Sequence, residues 1–162
     1  MRLTSAKTAF TLVEVLIVVI ILGLLAAVVV PQFSTAAQDS HAAGLQTTLS
    51  IVKTQIDRAK FIGSSGAFPP AIDAAWFIGG SLPTHSQNAF GVAAVETVSD
   101  AALSHPTDKV LKSGVAGAYW YNAANGTFRA RVSDQGSSAA TLAFYNRVNQ
   151  SNESALGNYG GS

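Results

Sequence analysis

Residues 10–30 read FTLVEVLIVVIILGLLAAVVV, twenty-one in a row with one charge, Glu14, and one hydroxyl, Thr11. Nothing else limits what the chain can fold into so strongly. At about 1.5 Å per residue a helix of this run spans roughly 31 Å, the thickness of a bilayer's hydrocarbon core. Sixteen of these residues are Leu, Ile, Val or Phe. At their usual transfer values they favour insertion by roughly 5–10 kcal/mol, enough to carry one acid near the end of the segment. The preceding flank, MRLTSAKTA, holds Arg2 and Lys7 and no acid. Such a basic flank stays in the cytoplasm and sends the C-terminal part outward. A secretory signal has an apolar stretch of only about 7–15 residues before its cleavage site. Cleavage at the small residues near Ala37 (STAAQ) is therefore the alternative that length disfavours.

Composition narrows the rest. Charged residues are 12% of the 162 and apolar residues 48%, against roughly 25% charged in ordinary globular domains. A disordered tail needs the opposite balance. Ten Lys and Arg against nine Asp and Glu give +1, without the basic excess of a nucleic-acid binder. The chain has no cysteine, which excludes disulfide scaffolds and cysteine zinc sites.

An acid inside an apolar span marks function by default; the alternative is a glutamate snorkelling at the membrane face without a partner. Pro31 has no backbone donor and clashes with the carbonyl four residues back. It predicts either a flexible point in a continuing helix or a stop at the membrane exit. Gly23 loosens the helix or lets a neighbouring helix approach closely.

The segment KTAFTLVEVLIVVIILGLLAAVVVPQF closely resembles the N-terminus of type IV prepilins and of the pseudopilins of type II secretion. The resemblance is strong over residues 1–61 and weak beyond. It implies that a prepilin peptidase cuts between Ala9 and Phe10 on the cytoplasmic side and methylates the Phe10 amine. The family usually has Gly before the cut, where this sequence has Ala9. The family's glutamate falls on Glu14 and its helix-kinking proline on Pro31. Cleavage would create a positive amine at Phe10. In a helical stack, Glu14 of an incoming subunit meets the Phe10 amine of its neighbour, and opposite charges attract. Cleavage, charge pairing and filament assembly are then linked through Phe10, Glu14 and Pro31.

The expected fold is α+β. It divides into a leader at 1–9, a transmembrane or filament-core helix at 10–30, an amphipathic continuation at 31–62 and a globular head at 63–162. Leu45, Leu49, Val52, Ile56 and Ala59 form one apolar stripe, with Lys53, Asp57, Arg58 and Lys60 off it. The helix, residues 10–61, would be about 78 Å long, ending at Gly63-Ser64-Ser65-Gly66. Residues 63–91, with three of the five prolines, read as an ordered loop with a helical turn near 71–77. Residues 92–98 read as a strand, and 118–122 and 127–132 as a hairpin about Asn125-Gly126, both residues accepting positive φ. In the second arm Phe128, Ala130 and Val132 alternate with Thr127, Arg129 and Arg131, predicting one buried and one wet face. Residues 141–148 read as a further strand and 151–162 as a mobile tail. The head is thus expected to be a small antiparallel sheet packed on the long helix. Its Tyr119-Trp120-Tyr121-Asn122 arm is loosely similar to that of pseudopilin-like heads.

Catalytic signatures are missing from the sequence. His41, His85 and His105 fit no metal spacing, and no GxSxG elbow, GxGxxG or P-loop occurs. No cofactor is expected, and the chain does not read as an enzyme. His41, on the helix near Asp39, reads as part of a solvated face. Asp100 and Asp108 bracket the loop SDAALSHPTD. Major pseudopilins bind calcium in a head loop, and hard oxygen ligands suit that ion, but a solvated loop is the favoured reading of these two. Arg129 and Arg131 either contact a neighbouring subunit or, as preferred, protect an exposed strand from aggregating.

Loss of residues 1–9 leaves eight basic and nine acidic side chains, −1, which suits a subunit packed among its own copies. The resulting reading is a structural subunit of a type IV pilus-like filament, first of all a type II secretion pseudopilin. A pilin for adhesion, motility or DNA uptake is the alternative, and a monomeric membrane-anchored periplasmic binding module the alternative of another class. The partners implied are the prepilin peptidase, further copies and related minor pilins or pseudopilins, and an inner-membrane assembly platform; no nucleic acid is expected. The location implied is a single-pass inner-membrane anchor with a periplasmic head, later part of a filament.

Overall fold

The structure, a computed structural model, describes residues 10–157. The chain divides into two compact units, residues 1–39 and 40–162. Helix α1, Leu12–Ile62, is followed by a 3₁₀ turn at Ala74–Trp76. Strands β1 (Val95–Val98), β2 (Tyr119–Asn122) and β3 (Thr127–Ala130) and helix α2 (Ser138–Asn149) complete the elements. The fold is α+β and pilin-like: a long N-terminal apolar helix with a small three-stranded sheet.

In the first unit, Leu12–Val29 has a mean hydropathy of 3.2 and no buried residue. The helix continues through Pro31, so the proline does not end it.

The second unit has a continuous core. Leu45, Leu49, Val52 and Ile56 are buried as the stripe predicts, and Ala42 extends it by one turn. They meet Tyr119 and Tyr121 of β2, Phe128 and Ala130 of β3, and Phe144, Tyr145 and Val148 of α2. Ala59 is only half-buried, and α1 ends at Ile62 with the Gly63 N–H bonded to the Ala59 carbonyl at 2.9 Å. The loop after it is ordered: Phe68, Ile72, Trp76 and Phe77 pack on the core. The Tyr121 hydroxyl donates to the Pro69 carbonyl at 2.7 Å, and the Lys60 ammonium lies 3.8 Å above the Phe68 ring.

The sheet order is β1-β2-β3, and β2 pairs antiparallel with β3. Contrary to the antiparallel expectation, β1 pairs parallel with β2, Val95 opposite Tyr119. A parallel neighbour needs a crossover, and residues 99–118 supply it. Gly117 is required there, since a Cβ would collide with the Glu96 backbone nitrogen. The hairpin turn falls at 123–126, as expected. Only Gly126 takes positive φ, at 72°, and its N–H bonds to the Asn122 carbonyl at 2.8 Å.

Three further expectations are corrected. Residues 141–148 are helix, not strand: Thr141, Phe144, Tyr145 and Val148 are buried at i, i+3, i+4, i+7, one helical face. Ser137 caps α2, its hydroxyl accepting the Ala140 N–H at 3.2 Å. The second sheet face is not wet, because the crossover covers it. Arg131 is 3% exposed and Trp120 is 2% exposed. Residues 151–157 are held rather than loose, with Leu156 in the core and Gly157 bridged to Asp108. Residues 158–162 of the expected tail lie outside the described residues.

Candidate assembly site at the helix N-terminus

Thr11 and Glu14 close on each other at the start of α1. The Glu14 Oε2 accepts the Thr11 N–H and the Thr11 hydroxyl, both at 2.8 Å, while Thr11 Oγ1 accepts the Glu14 N–H at 3.3 Å. This is a capping box, with Thr11 just before the first helical residue and the acid three positions on. The first N–H groups of a helix lack intrahelical partners and carry partial positive charge. The box therefore places Glu14 where a carboxylate is stabilised, despite an apolar run on either side. The T-x-x-E pattern was readable in the sequence as a capping signature, yet Thr11 drew notice there only as the lone hydroxyl.

Phe10, directly before the box, is 81% exposed. Ala9 lies outside the described residues. From Leu12 to Val29 every residue is open to the surroundings, and a Cβ added at Gly23 would meet nothing within 4 Å. The N-terminal half of α1 is thus an uncovered apolar face with a fixed carboxylate at its head. Lipid, or the same face of other helices, is the chemistry that suits it.

The head residues considered for chemistry are occupied otherwise. His41 is exposed on α1. His85 Nδ1 accepts the Gln87 N–H at 3.2 Å, which leaves Nε2–H to donate to the Arg131 carbonyl at 2.9 Å. Burial holds its pKa down at about 4, against backbone hydrogen bonding to Arg131 and to its own main chain, which favours the proton. His105 belongs to a different network, with Tyr145 and Glu153. Asp100 Oδ1 accepts the Ala102 N–H at 2.9 Å, and Asp108 lies 3.8 Å from the Lys112 ammonium. Among the described residues, no three His, Asp or Glu gather in a metal-binding group.

Arg129 and Arg131, read as guards of an exposed strand, instead tie β3 to its cover. Arg131 donates to the Asp108 carbonyl at 2.7 Å and pairs with Glu96 of β1. Arg129 donates to the Asn149 carbonyl at 3.2 Å. Lys53, expected off the packed stripe, is half-buried. Burial, and after it the Arg129 charge, hold its pKa below the usual range.

No solved structure matches the chain. A family model described as the prokaryotic N-terminal methylation motif matches residues 4–30, which takes in Phe10, the capping box and the apolar run. With one helix among the described residues long and apolar enough to cross a membrane, the motif fits a single-pass inner-membrane anchor. It also implies processing by a prepilin peptidase and assembly with pilins into filaments. Residues 4–30 carry the prepilin-type N-terminal methylation motif, the motif of type IV pilins and pseudopilins.

Proposed function

We propose that this chain is a pseudopilin of a type II secretion system. The observation that carries the reading is the methylation motif seated on an uncovered apolar segment, Leu12–Val29, whose one acid, Glu14, is fixed at the N-terminal turn. A small cysteine-free head supports a secretion pseudopilus over an adhesive fibre. In this reading 1–9 is the leader, 10–30 the membrane and filament-core helix, 31–62 its amphipathic continuation and 63–162 the periplasmic head.

The peptidase cuts between Ala9 and Phe10 and methylates the Phe10 amine. Glu14 of an incoming subunit then pairs with that amine on a neighbour, so only processed copies add. The helix passes through Pro31, which lacks the donor to the carbonyl four residues back; the proline gives the packed helix a point of give. Head-to-tail addition that does not close into a ring makes an open filament.

Intact mass of the protein from its own membrane tests processing. Loss of residues 1–9 plus one methyl group is expected, and retained Met1 refutes the reading. Glu14→Ala is expected to abolish filaments while the protein stays in the membrane. A monomeric anchored module would work unchanged with that substitution. Deleting the gene should stop export of a secreted protein; loss of surface fibres with normal export would point to a pilin.

A further inference from the structure

We propose that residues 151–157 form an acid-released latch, held on the head at neutral pH by a chain of four side chains, Tyr145, His105, Glu153 and Lys109. The segment leaves α2 at Gln150, whose φ of 50° turns the chain back. Asn146 holds its start: its Oδ1 accepts the Glu153 N–H at 2.8 Å and its Nδ2 donates to the Glu153 carbonyl at 2.9 Å. Its end is held by Leu156, whose carbonyl accepts the Lys109 N–H at 3.3 Å. Between these anchors the Glu153 carboxylate reaches the loop side chains. Oε2 lies 3.2 Å from the Lys109 ammonium and Oε1 3.4 Å from His105 Nε2. His105 Nδ1 is 2.8 Å from the Tyr145 hydroxyl.

These distances define one proton arrangement. A neutral imidazole carries one N–H. With Nε2–H toward the Glu153 carboxylate, Nδ1 accepts the Tyr145 O–H. Tyr145 is fully buried, and burial above all pushes its pKa up, so it remains a donor. A second proton on His105 would set Nδ1–H against that hydroxyl proton. The groups facing the ring are Tyr145 from α2, Arg129 from β3, Lys109 from its own loop and Glu153 from the latch. Burial first, then the Arg129 charge, hold His105 down at about 4, with Glu153 opposing and Lys109 adding to the effect.

The closed-state value lies below the ordinary 6.5, so protons favour the open form. The contribution is complete above pH 6.5 and is lost as pH falls toward 4. If the open state regains the ordinary value, the open-to-closed ratio rises on the order of 100-fold in acid.

Hydrogen exchange of the full-length protein in detergent, corrected for intrinsic rates, reads this directly. The Lys109 and Glu153 amides report the latch, and the Tyr119 amide, bonded to the Ala94 carbonyl, reports the sheet. Between pH 7 and 4 the first two should lose at least about tenfold more protection than Tyr119, whose own change follows the stability of the whole head. His105→Gln, which keeps a donor and an acceptor without titrating there, should retain latch protection at pH 4.5. Gly157→Ala should open the latch already at pH 7, because a Cβ there would run into the Thr107 carbonyl oxygen.

Unchanged protection in acid, loss shared equally with Tyr119, or loss in His105→Gln at the wild-type pH would each overturn the proposal. Should His105→Gln leave Tyr119 unprotected at pH 7, the wild-type ring titration by NMR decides. A His105 midpoint coinciding with release supports the latch, and a separate midpoint overturns it.

Discussion

Arg131 reaches three partners from just beyond β3: the Asp108 carbonyl, the Gly117 carbonyl and the Glu96 carboxylate. Replacing one member of a buried pair leaves the rest desolvated and unpaired. Glu96 keeps some solvent exposure, so Arg131→Ala should cost about 3 kcal/mol, the lower end for such pairs. A lowered urea midpoint with an unchanged m-value checks this. His85 makes a pH prediction. It is neutral and doubly bonded at pH 7, and burial holds it at about 4, below the free value of 6.5. Its stabilisation is present above pH 6.5 and lost as pH falls toward 4. The melting temperature should fall over that window, and less steeply in His85→Gln.

The edge of β3 is closed by a side chain rather than by a strand. Asn149, at the end of α2, accepts the Ala130 N–H at 2.8 Å and donates to the Ala130 carbonyl at 2.9 Å. Asn149→Ala would leave both backbone groups buried without partners, at about 1–3 kcal/mol. Chemical unfolding measures the loss, and Asn149→Asp should not restore it because a carboxylate cannot donate. Helix α1 carries the matching test on its stripe. Leu45 is 1% exposed, so Leu45→Ala should cost about 2–5 kcal/mol through lost burial and the cavity left. The same change at exposed Ile51 should cost far less, by the same measurement.

At the scale of the whole molecule, the apolar segment decides how the protein behaves outside a membrane. Leu12–Val29 is uncovered throughout, so the full chain should stay in the membrane pellet through an alkaline carbonate wash and come off only with detergent. Release by carbonate alone would contradict a spanning anchor. The sequence determined this end of the molecule unaided, because a run of twenty-one residues with one charge and one hydroxyl needs no distant partner to select a helix or a solvent. It also determined the α1 stripe and the Asn125-Gly126 hairpin, whose periodicity and turn chemistry are local. It did not decide the 141–148 segment, where short apolar runs fit strand or helix until burial of Thr141, Phe144, Tyr145 and Val148 selects one face. Nor did it decide the parallel seating of β1, the burial of Arg131 or the His105–Glu153 contact. Those join residues far apart in the chain, and only the packed head, by removing water from them, determines which pairs must form.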